Sequence, residues 1–268
     1  MHRQYTAGVN VVASPFYDAP SLQTLAGAIS PPRLASYLAE AGDLQSAIDL
    51  YVWNVRASAA LYGPLSILDV ALRNALHREL KSIFVSSWHD DPGFATAAAT
   101  VAEAIPRNAP YPYRGSSKPT DIRPAISDAK KKIEARLRVA AGANATNARG
   151  VPTTDDIVGA MDFGFWTKLL NADMEPLFWA KGLYRAFPHR NVRRRVPRSV
   201  ISARFRSIRN LRNRVMHFEP LLNRSLHEDL RNIVEACGWI DPTCSAWIEH
   251  HSSLDSVLRD RYRPRHPL

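Results

Sequence analysis

The chain has 268 residues, 46% of them apolar and 22% charged, the balance of an ordinary globular protein long enough to bury a core. No apolar run approaches the roughly 18 residues of a bilayer span, residues 1–30 carry no secretory pattern, and Cys237 and Cys244 alone make no disulfide framework, so a cytoplasmic setting without a membrane is expected. The net charge of +10 and a pI near 9.9 favour a polyanionic partner.

Residues 1–32 have weak periodicity and several turn formers ending in Pro31-Pro32, and read as an extended arm. From Arg33 the pattern turns helical, with Leu34, Tyr37 and Leu38 at helical spacing. The segment 43–62 reads as one helix, stopped or kinked by Gly63-Pro64. A second helix is expected over 65–85, where Leu65, Leu68, Leu72, Leu76 and Ile83 form an apolar stripe beside a polar edge of Asp69, Arg73 and His77. An insertion over 86–154 holds an Ala-rich helix (94–105), a Pro/Tyr/Gly/Ser loop (106–124), a basic amphipathic helix (125–140) and a Gly/Asn/Ala linker (141–150). Thr153-Thr154-Asp155 can cap a further helix. Then come an aromatic-rich bend at Met161–Trp166, an amphipathic segment marked by Trp179, Leu183 and Phe187, and a basic loop from Pro188 to Pro197. Ser199 can cap the next helix, further helices are expected at about 224–237 and 242–258, and a basic tail occupies 259–268. No alternating strand pattern or solenoid-length repeat occurs, so the expected architecture is a single all-α domain over 33–258, a helical bundle with a central insertion.

Charge is concentrated in one window. Between Glu175 and Glu219 there is no acidic residue, while Lys181 and eleven arginines give a local charge of +12, above that of the whole chain. Guanidinium grips phosphate with paired hydrogen bonds, so Arg193, Arg194, Arg195, Arg206, Arg209 and Arg214 are candidate RNA or phosphate contacts.

On 199–218, Ile201, Phe205, Ile208, Leu211, Val215 and Phe218 form a stripe facing a core, while Arg206, Arg209, Asn210, Asn213 and His217 share another face. Arg212 falls at the edge of the apolar stripe, about 140° around a regular helix from His217. A guanidinium there needs a carboxylate, a phosphate or solvent, and Asp69, with Arg73 beside it, is the candidate support.

The order Arg212-Asn213, three residues, His217 resembles the signature of HEPN domains. The longer run from Arg209 to Pro220 resembles the C-terminal motif of the Abi-like (abortive infection) branch, and Phe163-Gly164-Phe165-Trp166 resembles its upstream aromatic-Gly turn. The resemblance covers roughly 40–85 and 155–255. It implies a HEPN-like bundle and a metal-independent endoribonuclease of toxin or antiviral type. Two motifs would face each other across a homodimer, with an antitoxin or a phage-encoded trigger as possible partners. Some HEPN toxins carry a tyrosine two residues after the histidine, where a nucleotidyltransferase modifies them; here that residue is Glu219.

Such chemistry suits these side chains. Histidine exchanges protons near neutrality, arginine stabilises phosphorane charge, and Asn213 can orient the phosphate or the imidazole. Arg73-Asn74-Ala75-Leu76-His77 imitates the motif one residue short. Cys237, Cys244, His250 and His251 lack the spacings of structural zinc sites, and no glycine-rich phosphate loop, nucleophile elbow or zinc-protease motif occurs, so neither metal nor cofactor is expected. A non-catalytic RNA-binding module using the same Arg-rich face, and a dimerisation or inhibitor-docking module, remain the alternatives.

Overall fold

Local capping and apolar spacing set the helices of the computed structural model, which describes residues 18–84, 87–103, 120–141, 152–190 and 195–260. Among these residues there are helices and tight turns and no strand, so the fold is all-α. Arg193, Arg194, most of the 106–124 loop, nearly all of the 141–150 linker and nearly all of the basic tail lie outside the described residues.

The end of the expected arm is helical instead. Asp18 caps helix α1 (Ala19–Ile29) by accepting the Ser21 N–H, and α2 (Pro31–Ala41) starts on a proline, which suits the first turn because its missing N–H would have no partner there. Gly42, at φ 83°, ends α2. Only Leu22 of α1 is buried, which explains why its apolar period is faint.

Helix α3 (Leu44–Ile83) runs for 40 residues, straight through the expected break at Gly63-Pro64. An internal proline costs about 3 kcal/mol. Ala57, Ala60, Leu61, Pro64, Leu65 and Leu68 are nonetheless all buried in sequence, and each large apolar side chain so buried contributes about 1.5–3 kcal/mol, so packing wins. One 18-residue window of α3 reaches mean hydropathy 1.2, which by length and composition suffices to cross a membrane. Dispersed polar residues keep that window from reading as an apolar run. The helix is the spine of the bundle: α2, α9 (Leu226–Ile240), α11 (Leu254–Arg259) and the turn Leu183–Ala186 pack against it.

The insertion supplies α4 (Pro92–Glu103) and α5 (Arg123–Ala141), and α5 packs on α6 (Thr154–Ala160), whose N-terminus is closed by a Thr153–Asp156 capping box. Helix α7 (Phe163–Lys168) follows, capped by Asp162. Its Phe165 and Trp166 rings join Trp88, Phe94, Phe84 and Phe178 in one aromatic cluster with centroid spacings of 4.9 to 6.2 Å. The aromatic-Gly marker is thus core, and a Cβ on Gly164 would sit 3.2 Å from the capping carboxylate of Asp162.

The segment around Trp179 is not one amphipathic helix. It is a π turn (Glu175–Trp179) and a 3-10 turn (Leu183–Ala186), separated by Gly182 at φ 135°, a conformation that glycine adopts freely. Helices α8 (Arg198–Met216), α9, α10 (Pro242–His251) and α11 complete the order. The expected 242–258 helix divides at Ser252-Ser253, where Ser252 is extended and its hydroxyl accepts the Leu254 N–H, a local alternative to the helical ladder.

Candidate nucleic-acid interface

Helix α8 is amphipathic as its sequence requires. Ile201, Phe205, Ile208, Leu211 and Val215 are buried, and Arg206, Asn210, Asn213, Arg214 and His217 are exposed. Ser199 does not cap it: the chain enters the helix two residues earlier, and the N-cap is Pro197, with no side-chain hydrogen bond.

The other end carries the motif. The helix stops at Met216, His217 is the C-cap, and Phe218 takes φ 57°. Phe218 N–H donates to the Val215 carbonyl at 3.3 Å and Glu219 N–H to the Arg214 carbonyl at 2.9 Å, the paired bonds of a Schellman turn. Glycine ordinarily fills the left-handed position of such a turn, since a side chain there costs about 1–2 kcal/mol. The same turn throws Phe218 outward: it is 68% exposed and does not extend the buried stripe, because the helix has already ended.

Two residues that periodicity does not single out hold this turn. Asn54, buried on α3, accepts the Leu221 N–H on its Oδ1 at 2.7 Å, and Arg33 of α2 donates from Nη1 to the Phe218 carbonyl at 2.8 Å. A buried asparagine on an apolar helix face is the signal that could have found the first; the second leaves none.

The arginines divide by what they already hold. Arg209 donates to Thr167 Oγ1 at 3.2 Å, tying the motif helix to α7 and so joining the two segments that carry the Abi-like resemblance. Arg214 donates to the Pro220 carbonyl at 3.0 Å and lies 3.8 Å from Glu219, closing the motif turn. Arg204 pairs with Glu235 and Arg198 with Glu175. Arg206, Arg212 and His217, by contrast, make no side-chain hydrogen bond or ion pair among the described residues, and neither does the Asn213 side chain. Arg195 is exposed, well away from His217 at the opposite end of α8.

Asp69 does not serve Arg212. Its carboxylate accepts from Arg73 on the same helix at 3.1 Å, the short i,i+4 reach that a partner on another helix must compete with. Arg73 also reaches the Gly159 carbonyl at 3.4 Å, and His77 Nδ1 accepts from Trp88 Nε1 at 2.9 Å. The motif-like Arg73–His77 run is therefore committed to packing α3 against α6 and the turn at Trp88. Burial pulls the imidazoles of His77 and of its neighbour His89 below their ordinary value. Cys237 is buried, which pushes its thiol up, and among the described residues no group of three or more histidine, cysteine or acidic side chains could hold a metal.

Beside the motif lies an apolar groove of about 350 Å³. Tyr51, Val55 and Tyr62 of α3 line one side, and Val215, Met216 and Phe218 the other. Comparison of the chain with protein-family models, with curated proteins and with solved structures finds no match.

Proposed function

We propose that this chain is a metal-independent endoribonuclease of the abortive-infection type, acting in the cytoplasm as a homodimer. The observation that carries the reading is the distribution of unspent groups. In an acid-free stretch where most described cations are committed to the fold, Arg212, Asn213 and His217 keep their side chains free at the end of one helix, and Arg206 keeps its own free midway along it.

The ribose 2′-hydroxyl attacks the adjacent phosphorus and the 5′-oxygen leaves, giving a 2′,3′-cyclic phosphate. His217 moves the protons, the role an imidazole suits. Arg212 holds the charge on the phosphorane, Asn213 orients the phosphate, and Arg206 steers the strand. On a regular helix Arg212 and His217 diverge by about 140°, so the site is completed by the motif of a second copy. The exposed Phe218 ring and the apolar groove beside it supply a face for that copy, since a contiguous exposed apolar patch marks an interaction site.

The test uses wild type, Arg212→Ala and His217→Ala with total RNA in EDTA. Cleavage to 2′,3′-cyclic ends, lost in both variants, is expected. Salt-sensitive RNA binding without cleavage, equal in all three proteins, overturns the enzymatic reading and leaves an RNA-binding face.

A further inference from the structure

The far end of α8 carries a second cationic feature, about 28 Å along the axis from His217. Arg190, only 7% exposed, lies between the rings of Trp179 and Tyr184, its guanidinium carbon 5.4 and 5.2 Å from their centroids. One nitrogen donates to the Tyr184 carbonyl at 2.5 Å, and the buried Nε has no partner. Among the described residues no carboxylate pairs with it. Burial and the neighbouring Arg195 both pull its pKa below the ordinary guanidinium value. A buried cation left without a counter-charge is costly.

Next to it opens a cavity of about 280 Å³, lined by Arg190, Arg195, Arg198, Glu175, Trp179 and Pro197. The cavity adjoins the N-terminus of the 19-residue α8, which has no side-chain cap and no acidic residue in its first turn. No side chain of the helix's own first turn therefore compensates the positive end of its dipole, and among the described lining residues the one carboxylate, Glu175, is already paired with Arg198. Arg198 is held by Glu175 at 2.9 Å and by the Leu170 carbonyl at 2.7 Å. Among the described lining residues, three guanidiniums against one carboxylate leave an excess of two positive charges. A phosphate monoester, at about −1.5 to −2 near pH 7, matches that excess better than a singly charged diester.

We propose that this cavity is a binding site for a phosphate monoester, with Arg190 and Arg195 holding the dianion at the N-terminus of α8 and Trp179 forming an apolar wall for the group it esterifies. The site is separate from the motif and does not depend on RNA cleavage. It would read a terminal phosphate, where the motif would read the interior of a strand.

The experiment is calorimetric titration of the full chain with inorganic phosphate, 5′-AMP and 3′,5′-cyclic AMP, at matched ionic strength in chloride. Phosphate and AMP are expected to bind, and cyclic AMP at least tenfold more weakly. Tighter binding of AMP identifies a nucleotide as the source, and equal binding identifies the free ion. Arg195→Gln, an exposed position, weakens AMP binding at least tenfold while His217→Ala leaves it unchanged. Arg190→Gln does the same where it folds, and Arg195→Gln decides the matter where it does not. The proposal is overturned if none of the ligands binds, if cyclic AMP binds like AMP, or if Arg195→Gln binds like wild type. Loss of cleavage in His217→Ala with AMP binding intact keeps the two sites distinguishable.

Discussion

Replacing Phe218 by alanine and, separately, by glycine divides the strain of the motif turn from the ring it carries. Both variants lose the same side chain, 68% exposed, so whatever burial it contributes cancels between them. What remains is backbone. At φ 57° a residue with a Cβ costs about 1–2 kcal/mol, which glycine escapes; glycine in turn surrenders about 0.4–1 kcal/mol more chain entropy on folding. At the middle of these ranges the glycine variant is the more stable of the two by about 0.8 kcal/mol, the reverse of their order inside a helix. With a urea slope of about 3 kcal/mol/M, the midpoints separate by about 0.3 M. Urea unfolding followed by far-ultraviolet circular dichroism reads this directly. An alanine variant as stable as the glycine variant would show that the turn stores no such strain, and the left-handed assignment of Phe218 would fall with it.

Two further outcomes follow from contacts around the site. Asn54→Ala strips the acceptor from the buried Leu221 N–H and costs about 1–3 kcal/mol; chemical denaturation measures it, and an unchanged midpoint contradicts the anchoring role. Because burial lowers both His77 and His89 from 6.5, the unfolded chain binds protons that the folded chain refuses. Their contribution to stability is complete above about pH 6.5 and is lost as pH falls below it. Lys81 and Asp155 face His77, and Asp90 and Lys130 face His89, with burial the dominant influence on each ring. The urea midpoint should drop between pH 7.5 and 5.5, and less steeply in a His77→Gln, His89→Gln double variant; equal slopes would discount the pair.

The helical class and the two faces of α8 are legible in sequence because both rest on a local period of 3.6 residues. Leu65, Leu68, Leu72 and Leu76 announce their burial in this way, as do Ile201, Phe205 and Ile208. Continuity through Pro64 is not legible, because proline's cost is local whereas the packing that outweighs it comes from elements distant in sequence that stack along α3. The direction of Phe218 is hidden for a related reason: a Schellman turn usually announces itself by glycine, and here a phenylalanine occupies that position. Asp69 illustrates the limit of pairing by charge, since Arg73 lies one turn away on the same helix and takes the carboxylate first. An asparagine on the apolar face of α3 marks Asn54, but its partner Leu221, and the reach of Arg33 to Phe218, lie beyond any window of sequence.

Those braces also impose an order in time. The Arg33–Phe218, Asn54–Leu221 and Trp53–Val257 bonds join residues 185, 167 and 204 positions apart. Contacts of such separation wait on the slow closure of long loops. Helix α8 can coil from its own neighbours, but its terminal turn cannot be clamped to α3 until synthesis has passed residue 221, nor α11 to α3 until it has passed 257. During translation the arginine-rich helix is complete at Met216 before its brace at Leu221 exists, and until the long loops close a growing chain carries the charge of the site without its shape.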